Sequence, residues 1–433
     1  MPFSIDTRTL REGDTYIAIK GERYDGHDFV QEALRRGASK AIVERAIEGV
    51  NENRLSIVPD TSSHIAEVAH NKVKRANARV IAITGSMGKT TTRKAVTQVL
   101  QAAGPVVSSV GNLNTVLGLS LTLANSDLET NTYLVLEMGA AKRGDLKEIC
   151  QYFKPDISIV TNVRGVHLEM LGSIEGVQQE KGELVRALDA TGIACLNADD
   201  PRTRAMTAEC KGRHLLYGMA ADADITPSEI TAEVPLLGEH VIYILLAAFA
   251  AGTAVGLPPK AINEALCRLK PEKGRLNPLP GKNGSTLIDD SYNASPDAVK
   301  VALDVLRQQT AQRRIAFLGD MLELGTMERE AHKVVLLKAI QDADLIYGCG
   351  PRMQTAAEEL PAALKRRMHC LSDSKEFERE LTRGRVYQPE SGDVILVKGS
   401  QGARMERISR ALLSESISPE SVLPRQTEAW LSI

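Results

Sequence analysis

The chain has 433 residues, of which 43% are hydrophobic and 25% charged. That is enough for two or three ordinary cores, and it excludes disorder, collagen and a coiled rod. Lysine and arginine number 53 against 55 aspartates and glutamates, a formal net charge of -2, so no basic excess points to nucleic acid or an anionic membrane surface, and the expected partners are small molecules.

Taken in chain order, residues 1–77 carry short β-like runs, Thr15 to Ile19 and Lys40 to Val43, broken by Asp25-Gly26 and Arg36-Gly37. They predict a small N-terminal α/β domain. Residues 78–272 change rhythm to strand followed by helix. A strand is expected over Val80 to Thr84, a helix over Lys89 to Ala103 ending at Gly104, and further strands at Thr132 to Glu137, Ile157 to Thr161 and Ile193 to Asn197. This alternation predicts a central parallel sheet covered on both faces. The polar stretch Ala220 to Pro235 precedes an apolar helix from about His240, whose longest apolar run, Val241 to Ala251, falls short of the roughly 20 residues that span a bilayer. Lys270 to Arg275 reads as a hinge, after which residues 273–433 alternate again. Strands are expected at Thr286 to Asp289, Arg314 to Leu318, Leu345 to Tyr347 and Val394 to Lys398, with helices at Pro296 to Gln309 and Glu328 to Asp342. A Rossmann-like, doubly wound third domain is the expectation.

The six cysteines lie far apart, without a C-x-x-C pair or zinc-site spacing, and read as free thiols of a reducing cytosol. The opening Met1 to Asp6 has no cationic segment followed by an apolar one. No signal peptide is read there, and a cytoplasmic location is expected.

Chemistry concentrates in Thr84-Gly85-Ser86-Met87-Gly88-Lys89-Thr90-Thr91, which follows a β-branched strand and opens a helix. In that context a glycine-rich turn aims backbone N–H groups at phosphates, with Lys89 for the outer phosphates and Thr90 for Mg²⁺. Ile83 stands where the strict phosphate-loop pattern has its first glycine, so the match is incomplete. Glu137 ends one expected strand, and His167-Leu168-Glu169 follows another. Ends of parallel strands are where such sheets bind ligands.

These motifs, with Gly111-Asn112-Leu113-Asn114, Leu136 to Ala140, Glu180-Lys181-Gly182-Glu183, Asp289 to Ala294, Leu318 to Met321 and Val397 to Ser400, occur in the order seen in Mur ligases. The chain resembles that family over almost its whole length, including Asp6-Thr7-Arg8 and Asp25-Gly26-His27-Asp28-Phe29. Asp289 to Ala294 and Leu318 to Met321 are similar to the branch that adds D-alanyl-D-alanine to a UDP-N-acetylmuramoyl tripeptide.

The resemblance implies an ATP-dependent amide ligase of peptidoglycan precursor synthesis, working as a cytoplasmic monomer on small-molecule substrates through an acyl phosphate. It implies that Gly85 to Thr91, His240, Arg275 and Asp290 hold the nucleotide. Thr90 and Glu137 would serve one Mg²⁺, and His167 a second that also touches Lys181 as a carbamate. Lys89, Lys181, His167 and Glu137 would form the catalytic group. Asp6, Thr7, Arg8, Asp25, Gly26 and His27 would grip the UDP-sugar, with Asn112 and Asn114 also among the substrate contacts, while Asn293, Lys398 and Ser400 lie towards the amino substrate. Without the family, Lys181 reads plainly as a helix-surface lysine, Arg275 as a hinge cation and Asp289-Asp290 as a strand-ending turn.

One departure stands out. The family pattern places asparagines after the glycine and histidine of the apolar helix, facing the base, whereas Val241 and Ile244 occupy those positions here. The amide hydrogen bonds that would discriminate a base are missing, although an apolar face can still pack on adenine. Two other readings therefore stay open: a Mur-like ligase with a different carboxylate and amine, and a non-catalytic nucleotide-binding protein.

Overall fold

The computed structural model describes residues 2–21, 24–166 and 168–431. Three sheets organise it: one of four strands and two of six. The first runs in chain order through Phe3–Ser4, Thr15–Ile17, Lys40–Val43 and Leu55–Ile57, all parallel. The strand expected to reach Ile19 stops at Ile17, because the chain turns back and the Gly26 amide bonds the Ile19 carbonyl. A Cβ at Gly26 would lie 2.6 Å from the Ile19 nitrogen, so glycine is what lets the two backbones approach.

The second sheet has the spatial order Arg213–Tyr217, Ile193–Asn197, Ile157–Val160, Arg79–Thr84, Tyr133–Glu137, Val106–Ser108. All its pairings are parallel. Its inner strands are near-continuous apolar runs, as strands buried on both faces must be. From Arg79–Thr84 the chain fills one side of the sheet, then crosses to Ile157–Val160 on the other. The carboxyl ends of these two neighbours therefore form a topological switch point, where open α/β sheets bind ligands. The helix expected to run to Ala103 ends at Leu100, and the amides of Ala102, Ala103 and Gly104 close tight turns onto Val99 and Leu100. Pro105 follows, and the residue before a proline is driven out of helical geometry.

The third sheet has the order Asn277–Pro280, Thr286–Asp290, Asp393–Lys398, Arg313–Gly319, Leu345–Cys349, Met368–Leu371. The antiparallel edge strand Asn277–Pro280 was not anticipated. Its Pro278 and Pro280 hide it from pattern reading, yet an edge tolerates residues without an amide hydrogen. Both faces of this sheet are covered. Val299, Leu303, Leu306, Val335 and Leu336 pack on one side, and Phe377, Leu381, Ile408 and Leu412 on the other.

By contacts the chain forms two units, residues 1–163 with 178–230 and 246–265, and residues 164–177 with 231–245 and 266–433. In the first, helix Thr61–Arg75 and helix Val116–Asn125 share one core, with Ile65, Ala69 and Val73 beside Leu119, Leu123 and Leu134. Phe3 and Asn125 exchange two hydrogen bonds, of 2.7 and 2.9 Å, which tie the first strand to the second helix. No helix among the described residues is long and apolar enough to cross a membrane.

Candidate active site

In the first unit, strand Arg79–Thr84 runs into the turn 85–88 and helix Lys89–Leu100. Gly85 has φ 152°, and a Cβ there would come within 1.9 Å of Thr161 Oγ1. Gly88, at φ 79°, is the left-handed residue that starts the helix. The turn is clamped by the neighbouring strand end. Ser86 and Met87 amides donate to Asn162 O and Oδ1, both at 3.0 Å, and Met87 O accepts from Thr161 Oγ1 at 2.7 Å and Asn162 Nδ2 at 3.1 Å. The next strand supports the clamp, since Asn197 Nδ2 donates to Thr161 O at 3.0 Å. Lys89 reaches back over its own turn, with Nζ 2.7 Å from Gly85 O.

Beside the turn, Thr90 Oγ1 donates to Glu137 Oε2 at 2.9 Å, and Asn114 Nδ2 donates to Oε1 at 3.3 Å. Arg93 Nε lies 3.6 Å from Oε2, and the Glu137 amide donates to Ser109 Oγ at 2.9 Å. Glu137 is only 4% exposed, so this ring of donors is what makes a buried carboxylate tolerable. Asn114, expected among the substrate contacts, thus orients Glu137. A Cβ at Gly139 would lie 2.7 Å from the Asn114 side chain, so that glycine makes room for it. Asn112 is exposed on the same loop.

Lys181 and Glu180, adjacent on helix Ile174–Arg186, are both buried but do different work. Glu180 accepts from the amides of Gly144 at 2.7 Å and Leu146 at 2.8 Å, capping helix Asp145–Tyr152 in place of a local cap. Lys181 is 3% exposed and makes no hydrogen bond or ion pair among the described residues. Burial, and secondarily the Lys89 ammonium, hold its amine well below the ordinary lysine range. The surface-lysine alternative is therefore gone. His167 lies outside the described residues.

In the N-terminal sheet, Asp6 binds Arg8 through Nε at 2.9 Å and Nη2 at 2.7 Å, which lowers the Asp6 pKa. Thr7 O accepts from Arg36 at 3.2 Å. Asp25 accepts from the His27 amide and ring at 2.9 and 2.6 Å and from Arg45 at 3.1 Å, with its pKa lowered chiefly by that amide. The fully buried His27 ring accepts the Glu44 amide on Nε2 at 2.9 Å. Both ring nitrogens are thus occupied inside the domain. His27 shapes the Asp25-Gly26 turn and offers no ring nitrogen to a ligand.

In the second unit, strand ends bring Asp290, Asn293, Lys398 and Ser400 together. Lys398 Nζ donates to Asp290 Oδ2 at 2.5 Å and Asn293 O at 3.1 Å, while Asn293 Oδ1 accepts from the Gln401 amide at 3.3 Å. Ser400 Oγ donates to Ala294 O at 3.2 Å and accepts the Leu322 amide at 2.9 Å. Asp289 points to the other face of the strand, to Ser409 Oγ at 2.6 Å, and burial pushes its pKa up to about 6. His240 shares the field of Asp290 and Lys398, and its pKa is lowered by burial. Val241 and Ile244 are 7% and 6% exposed, so they are core residues with no apolar face left for a base. Arg275 stacks 4.2 Å from the centre of the Tyr292 ring. The resemblance did not single out Thr161, Asn162, Ser109 or Arg93, and it gave Tyr292, inside the Asp289 to Ala294 motif, no role. The first four carry no motif of their own and become visible only when strand ends are brought side by side.

Family models match this chain in three segments: Mur ligase family, catalytic domain, over residues 3–97; Mur ligase middle domain over 83–252; and Mur ligase, glutamate ligase domain, over 274–401. The UDP-N-acetylmuramoyl-tripeptide–D-alanyl-D-alanine ligase of Bacillus subtilis is 31% identical over 432 residues, covering 95% of this chain and 93% of that one. The chain belongs to the Mur ligase family. The Escherichia coli ligase of the same name is 32% identical over 94% of this chain and 92% of its own. Among solved structures, a MurF crystal structure from Acinetobacter baumannii superposes with TM-score 0.85 at 27% identity, covering 95% and 93% of the two chains. The MurF ligase of Thermotoga maritima in complex with ADP superposes with TM-score 0.80 at 27% identity, covering 95% and 96%. The mixed α/β fold with parallel sheets agrees with these relatives.

Proposed function

We propose that this Mur ligase joins D-alanyl-D-alanine to a UDP-N-acetylmuramoyl tripeptide at the expense of ATP, in the cytoplasm, as a step of peptidoglycan precursor synthesis. The observation that carries the reading is the phosphate turn clamped at the switch point beside the Thr90–Glu137 pair. The likeness to ligases of that name over more than nine-tenths of the chain supports the substrates. A nucleotide phosphate chain fits beside the turn 85–88, where the adjoining helix N-terminus favours anions. The domains follow as residues 1–77 for the UDP-sugar, 78–272 for ATP and 273–433 for the amino substrate.

A carboxylate is a poor acyl donor until one of its oxygens takes a phosphoryl group. Lys89 would bind the transferring phosphoryl and balance the charge that spreads over its oxygens, with ADP leaving. Thr90 and Glu137, neighbouring hard oxygen donors, fit a Mg²⁺ ion, which supplies charge neutralisation at the phosphates. The dipeptide amine then attacks the acyl carbon, expels phosphate and gives up a proton as the amide forms. Lys398, Asn293 and Ser400 would orient that amine, and Arg275, Asp290 and His240 would hold the nucleotide from the third domain. Lys181 is buried, without a hydrogen bond or ion pair among the described residues, and burial favours the uncharged amine, the form that adds carbon dioxide to give a carbamate. That modification would turn it into an anionic oxygen ligand for a second Mg²⁺, the ion for which the family pattern offers His167.

The test is phosphate release from ATP with UDP-muramoyl tripeptide, with and without D-alanyl-D-alanine, and the mass of the UDP-linked product. The expected result is turnover only with both substrates and a product weighing their sum less water. A protein that binds ATP and Mg²⁺ but releases no phosphate with this pair would overturn the substrate assignment.

A further inference from the structure

The turn 270–276 that carries Arg275 is gripped by the last segment of the chain. Lys273 Nζ donates to Glu420 O at 2.6 Å, and Asn277 Nδ2 to Val422 O at 3.4 Å. Gly274 has φ 70°, and a Cβ there would meet Pro424 Cγ, Tyr292 Cβ and the Tyr292 nitrogen, each at 3.0 Å. Arg425 stands 5.5 Å from the centre of the same Tyr292 ring that Arg275 approaches at 4.2 Å. Arg425 is itself immobilised, donating to Ser291 O at 2.6 Å, Tyr292 O at 3.1 Å and Glu406 Oε2 at 2.8 Å. Glu406, 1% exposed, also accepts from Arg404 at 2.5 Å, and Arg404 reaches Trp430 O at 2.7 Å with its guanidinium 5.1 Å from the Trp430 ring centre.

The charge distribution gives this cluster a direction. The Arg425 and Arg404 guanidiniums share a carboxylate, whereas Arg275 is held by an aromatic face and, among the described residues, by no carboxylate. A ring fixes the plane of a guanidinium without neutralising it or consuming its N–H donors. Arg275 Nε is buried without a hydrogen-bond partner, so the ring and the turn, not a bond to that nitrogen, set its orientation.

We propose that Tyr292 and Arg425 are positioning residues for Arg275, and that the C-terminal segment 419–431 is a brace that presents this cation to the nucleotide. The inference rests on the reading of Arg275 as a nucleotide contact, and the experiment separates the two. With the full-length protein, ATP, UDP-muramoyl tripeptide and D-alanyl-D-alanine, kcat and the KM for each substrate are measured for Arg275→Ala, Tyr292→Leu, Arg425→Ala and the two doubles with Arg275→Ala.

Tyr292→Leu and Arg425→Ala are each expected to raise the KM for ATP about fivefold to tenfold, with kcat and the dipeptide KM within about twofold of wild type. In the Arg275→Ala background they add nothing, because the group they position is gone. Tyr292→Phe keeps the ring and is expected to retain the wild-type KM. Trp430 is the only tryptophan, so its emission shows whether the segment is still seated in each variant. An unchanged KM in Arg275→Ala overturns the nucleotide reading of that residue. A raised KM in Arg275→Ala with wild-type values in Tyr292→Leu and Arg425→Ala overturns the brace alone. Full, additive effects of either variant in the Arg275→Ala background also overturn it, as does a tenfold rise in Tyr292→Phe.

Discussion

Lys89 is close enough for its charge to disfavour that of Lys181, and the two side chains sit in different surroundings. Lys89 is partly exposed and satisfied by carbonyls, while Lys181 is buried, which lowers its pKa and disfavours its charged form. Lys89→Ala should lower kcat about a thousandfold or more while far-UV circular dichroism stays unchanged. Normal turnover in that variant would sink the phosphate-turn assignment. Lys181→Ala should be inactive with or without added bicarbonate, whereas wild type stripped of carbon dioxide in mildly acidic buffer should regain activity when bicarbonate returns. A fully active Lys181→Ala protein removes the carbamate from the mechanism. Asp289 makes a separate, pH-dependent prediction. Its folded pKa of about 6 exceeds its reference value of 3.8, so between these values the folded protein holds a proton that the unfolded chain releases. Stability is therefore lost as pH rises through that window, by about 3 kcal/mol from this residue. Asp289→Asn should flatten that part of a urea-unfolding profile; an unaltered profile would show that Asp289 does not titrate there.

At the scale of elements, helix Asp145–Tyr152 shows why spacing alone does not reveal function. Its N-terminal amides are capped from another helix by Glu180, a residue that sequence reading places in a motif beside the candidate carbamate. Glu180→Ala should destabilise the protein by about 1–3 kcal/mol by leaving buried donors unmatched, which thermal unfolding would detect. Glu180→Gln, which keeps an acceptor, should recover part of the loss. Long apolar strands and the helix Pro296–Gln308 were legible because burial on both sheet faces and a 3.6-residue period leave strong patterns. Short edge strands such as Asn277–Pro280 and Val106–Ser108 were not, because three or four residues carry too little periodicity. The end of the helix at Leu100 was missed by three residues, because the tight turns of Ala102, Ala103 and Gly104 onto Val99 and Leu100 leave no mark in the residue pattern.

At the scale of the whole molecule, helix Thr61–Arg75 contributes to one continuous core with the second sheet, while the third sheet has its own cores on both faces. A fragment of residues 273–433 should therefore unfold cooperatively by itself, whereas residues 1–77 alone should leave Ile65, Ala69 and Val73 uncovered and unfold at a lower temperature. Scanning calorimetry of the two fragments tests this, and a non-cooperative 273–433 fragment would contradict it. The sequence by itself determined the α/β class, the phosphate turn with Lys89 and Thr90, and the family, because these depend on residue type and local spacing. Tertiary structure decided that Lys181 is buried and unpaired among the described residues, that Asn114 serves Glu137, that the His27 ring is spent on its own domain, and that the last segment of the chain meets Arg275 through Tyr292. Each depends on which strand ends and turns are brought side by side, and burial, not chain spacing, sets the charge and reach of the side chains that meet there.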